Sequence, residues 1–163
     1  MAQAFSIPES FKVVAATAGP VTTNGGVTGN YVSLKNAHKA TLVLQFTQAV
    51  GHATAITVRQ ATAVAGTSAK NGSASTRIWA NEDTATNDTL VAQTAAASYT
   101  VTNDIKKKMV VIEIDPSQMD VANGFDVAGF TIADSSQATN FVCGTWYIHQ
   151  RYAQATPPSA VVN

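Results

Sequence analysis

The sequence predicts an all-β fold, a single antiparallel β-sandwich of jelly-roll type with about nine or ten short strands. Three observations lead to this prediction. Several segments alternate apolar and polar residues with a period of two, turn-forming residues separate them about every 8–12 residues, and helical periodicity is hard to find. With 163 residues, the chain is long enough for one domain that buries its own hydrophobic core.

The alternation is clearest in residues 40–47, where Leu42, Leu44 and Phe46 fall on the face that we expect to be buried. Gly, Asn, Asp and Ser are common between this strand and its neighbours, as turns require. The predicted strands are, in order, residues 11–16, 31–34, 40–47, 55–63, 76–81, 90–94, 98–101, 109–114, 125–132 and 141–152, the last being the longest.

No linker or repeat divides the body of the chain. We therefore predict one domain over residues 11–152, flanked by an N-terminal arm (1–10) and a flexible C-terminal tail (153–163). Two polar segments, residues 22–30 and 66–75, are predicted to be surface loops, and the second is the better candidate for a mobile one.

Composition and charge exclude several classes of protein. Ten Lys and Arg residues balance ten Asp and Glu residues, and only 12% of the residues are charged. The chain therefore lacks the basic surface of a nucleic-acid-binding protein, and no apolar run approaches the roughly 20 residues that cross a bilayer. No secretory-signal pattern opens the chain, and its one cysteine, Cys143, fits synthesis in a reducing cytosol.

The conventional catalytic candidates are three histidines and the cysteine. His38, His52 and His149 follow none of the spacings that place metal ligands side by side, so we expect surface or interface residues. Cys143 has no base or positive group beside it in the sequence, so we expect an inert, packed thiol. No nucleophile elbow, phosphate-binding loop or dinucleotide fingerprint occurs. We predict no catalytic, cofactor-binding or metal-binding residue, and no enzyme activity.

Two groups of carboxylates deserve the same test. Glu113 and Asp115 share a strand face, where a solvated sheet surface explains them better than a catalytic pair. Asp115 can also cap a single helical turn over residues 115–120, because Pro116 suits its first position. The loop Glu82–Asp88 has the oxygens that Ca²⁺ needs, but its spacing is not that of an EF-hand and we predict a polar turn.

The only basic run and the aromatic residues have structural and functional interpretations. The run Lys106-Lys107-Lys108 precedes the strand at 109–114, where lysines often discourage edge-to-edge pairing; contact with an acidic patch on a partner is the alternative. Four aromatic residues are predicted to be core residues, with a sugar-binding platform as the alternative: Trp79, Trp146, Tyr147 and Tyr152.

The predicted surface is poor in charge. Outward strand positions are mostly Thr, Ser, Ala, Gln and Asn rather than Lys and Glu. Short uncharged side chains lose little rotamer entropy when they are buried, and the centres of interfaces are depleted of charge. Such a surface is typical of a protein that works in an assembly.

Several stretches resemble small structural proteins of tailed bacteriophages. They are Tyr31-Val-Ser-Leu-Lys-Asn-Ala-His-Lys-Ala-Thr-Leu-Val-Leu-Gln-Phe, Ala55-Ile-Thr-Val-Arg-Gln-Ala, and Val110-Val-Ile-Glu-Ile-Asp-Pro-Ser-Gln-Met-Asp with Asn123-Gly-Phe-Asp. The resemblance covers about residues 31–152 and points most closely to capsid decoration or cement proteins, which stabilise the head. It implies a jelly-roll-like sandwich, commonly a homotrimer, seated on the outer capsid surface and bound to the major capsid protein. No catalytic residue comes with it.

The resemblance also implies a virion protein that is synthesised in the host cytoplasm. We hypothesise that the arms and the two polar loops, residues 22–30 and 66–75, contact the capsid. The alternative function is a receptor- or carbohydrate-binding module of a phage tail or fibre, which needs an exposed aromatic cluster where the decoration role expects buried rings. A small β-sandwich hydrolase is less well supported, because no acid/base constellation can be assembled.

Overall fold

A computed structural model describes residues 6–152 and 159–161. These residues form one short helix, thirteen strands and two 3₁₀ turns. The elements are α1 (Ile7–Ser10), β1 (Phe11–Ala15), β2 (Val21–Thr22), β3 (Val27–Thr28), β4 (Val32–Ser33), β5 (Ala37–Thr47), β6 (Thr54–Ala61), β7 (Lys70–Asn71), β8 (Arg77–Asn81), β9 (Val91–Ala92), β10 (Ser98–Val101), β11 (Lys107–Ile114), the 3₁₀ turns Pro116–Gln118 and Val121–Asn123, β12 (Val127–Ile132) and β13 (Phe141–Gln150). No helix in the described part of the chain has the length and hydropathy needed to cross a membrane.

Two antiparallel sheets pack together, which confirms the predicted all-β sandwich. The larger sheet has seven strands in the order β1-β13-β5-β11-β8-β9, with β2 also paired to β13. The smaller sheet has six strands in the order β10-β6-β12-β3, with β7 beside β6 and β4 beside β12. Strands that are neighbours in the sequence, such as β5 and β6, often belong to different sheets, so the loops between them close the ends of the sandwich.

The hydrophobic core lies between the sheets and is built by alternate residues of the long strands. Leu42 and Phe46 of β5 are buried in it, as the period-two pattern predicts. Trp146 of β13 is completely buried, and its Nε1 donates a hydrogen bond to the backbone oxygen of Asn30 at 2.9 Å. The Trp146 ring also meets the ring of Phe130 edge to face, with centroids 6.1 Å apart.

A second, small cluster covers part of the outer face of the smaller sheet. Gly129 makes room for this cluster, because a Cβ atom at its position would lie only 2.4 Å from the Tyr31 ring. The cluster consists of the buried residues Tyr31, Ala61 and Val127, with Val64 and Ala69 packed against them. The chain that follows β6 therefore folds back over its own sheet.

The segment 66–75, predicted to be a surface loop, contains a short strand and makes several contacts with the sandwich. Within it, β7 pairs with β6, and the Lys70 ammonium forms an ion pair with Asp120. The Gln60 Nε2 donates a hydrogen bond to the backbone oxygen of Asn71 at 2.9 Å. The segment is polar and contains glycine, so its sequence does not predict packing. Its backbone and the Lys70 side chain nevertheless supply contacts with the smaller sheet and the base.

Most predicted strands are present, with shifted ends. The strand predicted at 90–94 is reduced to β9, and β5, with 11 residues, is longer than β13, with 10. The short strands β2, β3 and β7 lie in segments predicted to be loops or turns. The helical turn is confirmed as a 3₁₀ turn, because Asp115 Oδ1 accepts a hydrogen bond from the backbone N–H of Ser117 at 2.8 Å.

The sandwich has two different ends. We call apex the end formed by residues 48–53, 102–106 and 133–140, where β5, β10 and β12 finish. We call base the opposite end, which carries residues 115–126, α1 and the end of β13. The backbone N–H of Ser33, also at the base, donates to the oxygen of Ala160 at 2.7 Å, and Ala160 is buried. The predicted tail therefore contributes one core residue, while residues 153–158 lie outside the described part.

Candidate interaction surfaces

The outer face of the larger sheet carries few charges and has no second layer of strands or helices over it among the described residues. The strand register places Thr145, Val43, Val111 and Trp79 in one row across β13, β5, β11 and β8. All four side chains are half-buried by their neighbours on the sheet. The row above contains Cys143, Gln45 and Met109. This face is therefore mostly apolar or uncharged at its centre.

Charges on this face are confined to its margins, and the group nearest the base is internally paired. Glu113 Oε2 lies 2.9 Å from Lys39 Nζ and 3.5 Å from an Arg77 guanidinium nitrogen. The guanidinium of Arg77 also lies over the Trp79 ring, 4.9 Å from its centroid. Lys107 is exposed at the margin nearest the apex.

The apex is held together by buried polar side chains that connect different loops. Asn140 is 1% exposed, and its Oδ1 accepts hydrogen bonds from the backbone N–H groups of Ala49 and Val50, both at 2.9 Å. Its Nδ2 donates to the Val50 oxygen at 2.8 Å. The hydroxyls of Thr23 and Ser135 are 2.7 Å apart, and both residues are buried. These pairings between buried polar groups favour one arrangement of the loops, although the Gln48 Oε1 atom is buried there without a hydrogen-bond partner.

A buried lysine connects two further apical segments. Lys108, at the apical end of β11, is 1% exposed, and its Nζ donates to the Thr102 backbone oxygen at 2.5 Å and lies 3.2 Å from Glu82 Oε2. Glu82 also accepts hydrogen bonds from the Tyr99 hydroxyl at 2.5 Å and the Thr102 N–H at 3.2 Å. Burial and then the Glu82 carboxylate raise the pKa of Tyr99, so this hydroxyl stays protonated as a donor.

Apolar side chains project from the apex despite this ordered polar interior. Ile105 is 66% exposed and Val50 is 40% exposed, on the loops after β10 and β5. The charge around them is mainly acidic. Asp88, Asp104 and Asp134 are exposed without an ion pair among the described residues, whereas Lys106 is paired with Asp83 and Lys108 with Glu82. The apex is thus a set of ordered loops with apolar tips and an acidic rim.

Acid is expected to destabilise the fold in part through carboxylates at and beside the apex. Backbone N–H groups of Ser136 and then Gly25 hold the pKa of Asp134 below its ordinary value of 3.8, and the Lys106 ammonium does the same for Asp83. A lowered folded-state pKa stabilises the fold above the unfolded pKa, and this contribution is lost as the pH falls through the folded pKa. The urea midpoint should be constant above about pH 5 and fall below about pH 4.

The variant Asp134→Asn tests the assignment of this acid sensitivity. It keeps an acceptor oxygen but removes the charge, so its urea midpoint should fall less between about pH 5 and pH 3 than that of the wild-type protein. An identical fall in both proteins would show that Asp134 makes no contribution.

The structure brings two of the predicted histidines close together at the base. His38 and His149 are exposed at the base with ring centroids 5.5 Å apart, while His52 is half-buried at the apex and its Nδ1 lies 3.2 Å from the Thr54 hydroxyl. No group of three or more potential metal-ligating side chains occurs in residues 6–152 and 159–161. Cys143 is half-buried on the outer face, and its sulfur lies 3.9 Å from Gln45 Oε1.

The charged clusters singled out in the sequence are engaged structurally. The Asp115 carboxylate caps its own 3₁₀ turn, and the Glu113 carboxylate forms ion pairs with Lys39 and Arg77. The two carboxylates are therefore not directed at a common cleft. In the loop Glu82–Asp88 the first two carboxylates pair with lysines. The edge-protecting role of the lysine run is wrong, because β11 lies between β5 and β8 and Lys108 is buried.

The structure separates the four aromatic residues that a sugar-binding platform would need. Trp146 is in the core, and Tyr152 lies beyond the end of β13. Trp79 and Tyr147 share the outer face, but they lie on β8 and β13, with β5 and β11 between them. No common stacking platform is formed from these four rings.

The two polar loops expected to contact a capsid lie on different parts of the sandwich. Residues 22–30 run beside the apex, where Gly25 N–H donates to Asp134 Oδ1 at 2.7 Å. Residues 66–75 pair with the basal half of β6 and contact Asp120 at the base. The role of Asn140 in joining the apical loops is not predicted by the sequence, where it is only one polar residue before a strand.

Of the comparisons with known proteins, the one with solved structures gives distant matches. No protein-family model matches this chain, and no curated protein matches it in sequence. Among solved structures, the chain is similar to the crystal structure of SPBc2 prophage-derived protein YomS. The alignment covers 85% of this chain and 91% of that one, with 11% sequence identity and a TM-score of 0.47. A similarity this distant assigns neither a family nor an activity.

Proposed function

We propose that this chain is a virion structural protein of a tailed bacteriophage, a decoration or cement protein that binds the outer surface of the capsid. Its partner is the major capsid protein, and its action is non-enzymatic. The resemblance described in the sequence analysis motivates the phage assignment and the expectation of a homotrimer. The structure contributes a candidate for the surface that docks.

The observation that carries the proposal is the apex, because ordered loops with exposed apolar tips suit docking. The side chains of Asn140 and Lys108 fix the loops before any partner arrives, so little conformational entropy is lost on binding. Ile105 and Val50 provide apolar area, and Asp104 and Asp134 lie in the exposed rim. The complementary site on the capsid is an apolar depression bordered by basic side chains.

A protein of this kind stabilises a shell by mass action. Binding only the expanded capsid stabilises that state in proportion to occupancy and affinity. An oligomer that engages several capsid subunits at once also gains effective concentration for each further contact. Both effects require only a binding surface.

The proposal is tested by co-sedimentation with empty capsids of the phage that encodes the chain. Wild-type protein should pellet with the capsids, and Ile105→Asp should weaken this binding by about tenfold or more, because it places a charge in the apolar contact. Val121→Asp is the matched control, since Val121 is 51% exposed at the base. It should bind like the wild type.

Two results would contradict the proposal in different ways. Equal losses for both variants would remove the apex as the docking surface, and wild-type protein that stays in the supernatant would remove the capsid as partner. In that second case, glycan binding that is lost in Trp79→Ala would support the carbohydrate-binding alternative, because Trp79 is the half-exposed tryptophan of the outer face.

A further inference from the structure

We propose that the outer face of the larger sheet packs against a second copy of this chain. The proposal deepens the proposed function, on which it rests for the premise that the protein works in an assembly. It also gives a partner to a surface that docking through the apex leaves open.

The first argument comes from the central strand β11, which carries apolar residues on both sides. Residues 109–112 of β11 read Met-Val-Val-Ile, whereas β5 beside it has one apolar outward residue, Val43, between Thr41 and Gln45. A strand with one solvated face alternates apolar and polar residues, whereas a strand covered on both faces has a nearly continuous apolar run. Val110 and Ile112 are buried in the core, but Met109 and Val111 point outward and are only half-buried. The sequence of β11 thus fits a sheet that is packed against protein on its outer face as well as on its inner face.

The second argument is the contrast with the smaller sheet. There the chain after β6 covers part of the outer face, and Val127 and Ala61 are buried beneath it. No strand or helix lies over Val43 or Val111 among the described residues, and the segment after β1 reaches this face only at the border of a cavity that Thr17 and Gly19 share with Val43. The protein therefore covers apolar outward positions on one sheet with its own chain and leaves those of the other sheet open.

The third argument is electrostatic. It distinguishes a second copy of this chain from a different protein that would bind through complementary charge. Hetero-partners are often steered by uncompensated charge, but Glu113 is already paired with Lys39 and Arg77. Lys107 is at the apical margin, where it can remain in water. With ten basic and ten acidic residues, two copies carry no net charge that would keep them apart.

The fourth argument is size. Strands about 4.8 Å apart with a rise of about 3.3 Å per residue give β1, β13, β5, β11 and β8 a projected area of about 600 Å². Because side chains project from the sheet by different amounts, the solvent-accessible area of this face is larger than its projected area. A stable interface of standard size buries about 800 Å² on each partner. The outer face alone is therefore large enough for a specific contact between copies.

The decisive experiment measures the mass of the purified protein in solution as a function of concentration. Sedimentation equilibrium of the wild-type protein should give an oligomer, and Val111→Lys should give a monomer, because it places an ammonium in the centre of the contact. Thr131→Lys is the matched control, an outward, half-buried position at the centre of the smaller sheet, and it should keep the wild-type mass. Circular dichroism confirms that each variant is folded.

Cys143 provides a second measurement that needs no substitution. This single cysteine lies on the proposed contact face, so its alkylation by a maleimide should slow by about tenfold or more as the wild-type protein is concentrated into the oligomer. A wild-type monomer at all concentrations would overturn the proposal, as would an oligomer in which Cys143 reacts as fast as in the folded monomer. A monomeric Val111→Lys variant that still pellets with capsids would support this interface and leave capsid binding as a separate property.

Discussion

Replacing Trp146 with alanine is expected to lower the free energy of unfolding by about 3–5 kcal/mol. The indole is completely buried between the sheets, so its removal leaves a large cavity in a closely packed core. The substitution also removes the donor to the Asn30 oxygen and leaves that acceptor without its partner. Urea denaturation at one fixed protein concentration measures the loss.

Trp79→Ala is the matched control for this prediction, because it removes the same side chain from the outer face. Trp79 is half-buried and packs beside Arg77 rather than in the core. We expect the control to cost less than half as much as Trp146→Ala. Equal losses would contradict the placement of the two tryptophans on opposite faces of the larger sheet.

Breaking the buried ion pair at the apex should give the second large effect. Glu82→Gln is expected to lower the free energy of unfolding by about 3 kcal/mol, because it leaves the Lys108 ammonium buried without its carboxylate. Lys108 Nζ would then have only uncharged acceptors, which are the two Thr102 oxygens and the amide oxygen of the new side chain. The change in the urea midpoint measures this effect.

Lys108→Met, which substitutes the other partner of the pair, is the control. It should lower the free energy of unfolding by less, about 1 kcal/mol. In Lys108→Met, an apolar chain of similar length fills the buried space. Glu82 is 26% exposed and keeps its hydrogen bonds from Tyr99 and Thr102. The double variant should recover part of the loss of Glu82→Gln, since it removes the unpaired ammonium. A larger loss for Lys108→Met than for Glu82→Gln would show that the carboxylate, not the ammonium, depends on the pair.

The core strands could be predicted from the sequence because their physics is local. A period of two assigns Leu42 and Phe46 to the inner face of β5, and both are buried. The same period of two assigns Lys108 to the inner face with Val110 and Ile112. The run of three lysines predicted an exposed position instead. Its burial depends on Glu82 and Thr102, which come from other segments of the chain.

The interaction surfaces could be predicted only in outline. The lack of charge on outward strand positions indicated an assembly protein, but the row Val43, Val111 and Trp79 exists only once the order and register of the strands are known. The role of Asn140 likewise depends on a loop some 90 residues earlier in the chain. Such long-range pairings cannot be read from periodicity.

The positions of Ile7 and Ala160 have a practical consequence. Both residues belong to the base, on the opposite side of the sandwich from Ile105. If the apex faces a capsid, a peptide or fluorescent protein attached beside Ile7 or Ala160 would point outward from the particle. The fold would then serve as a display scaffold, in which the length of a linker sets how far the cargo stands from the surface.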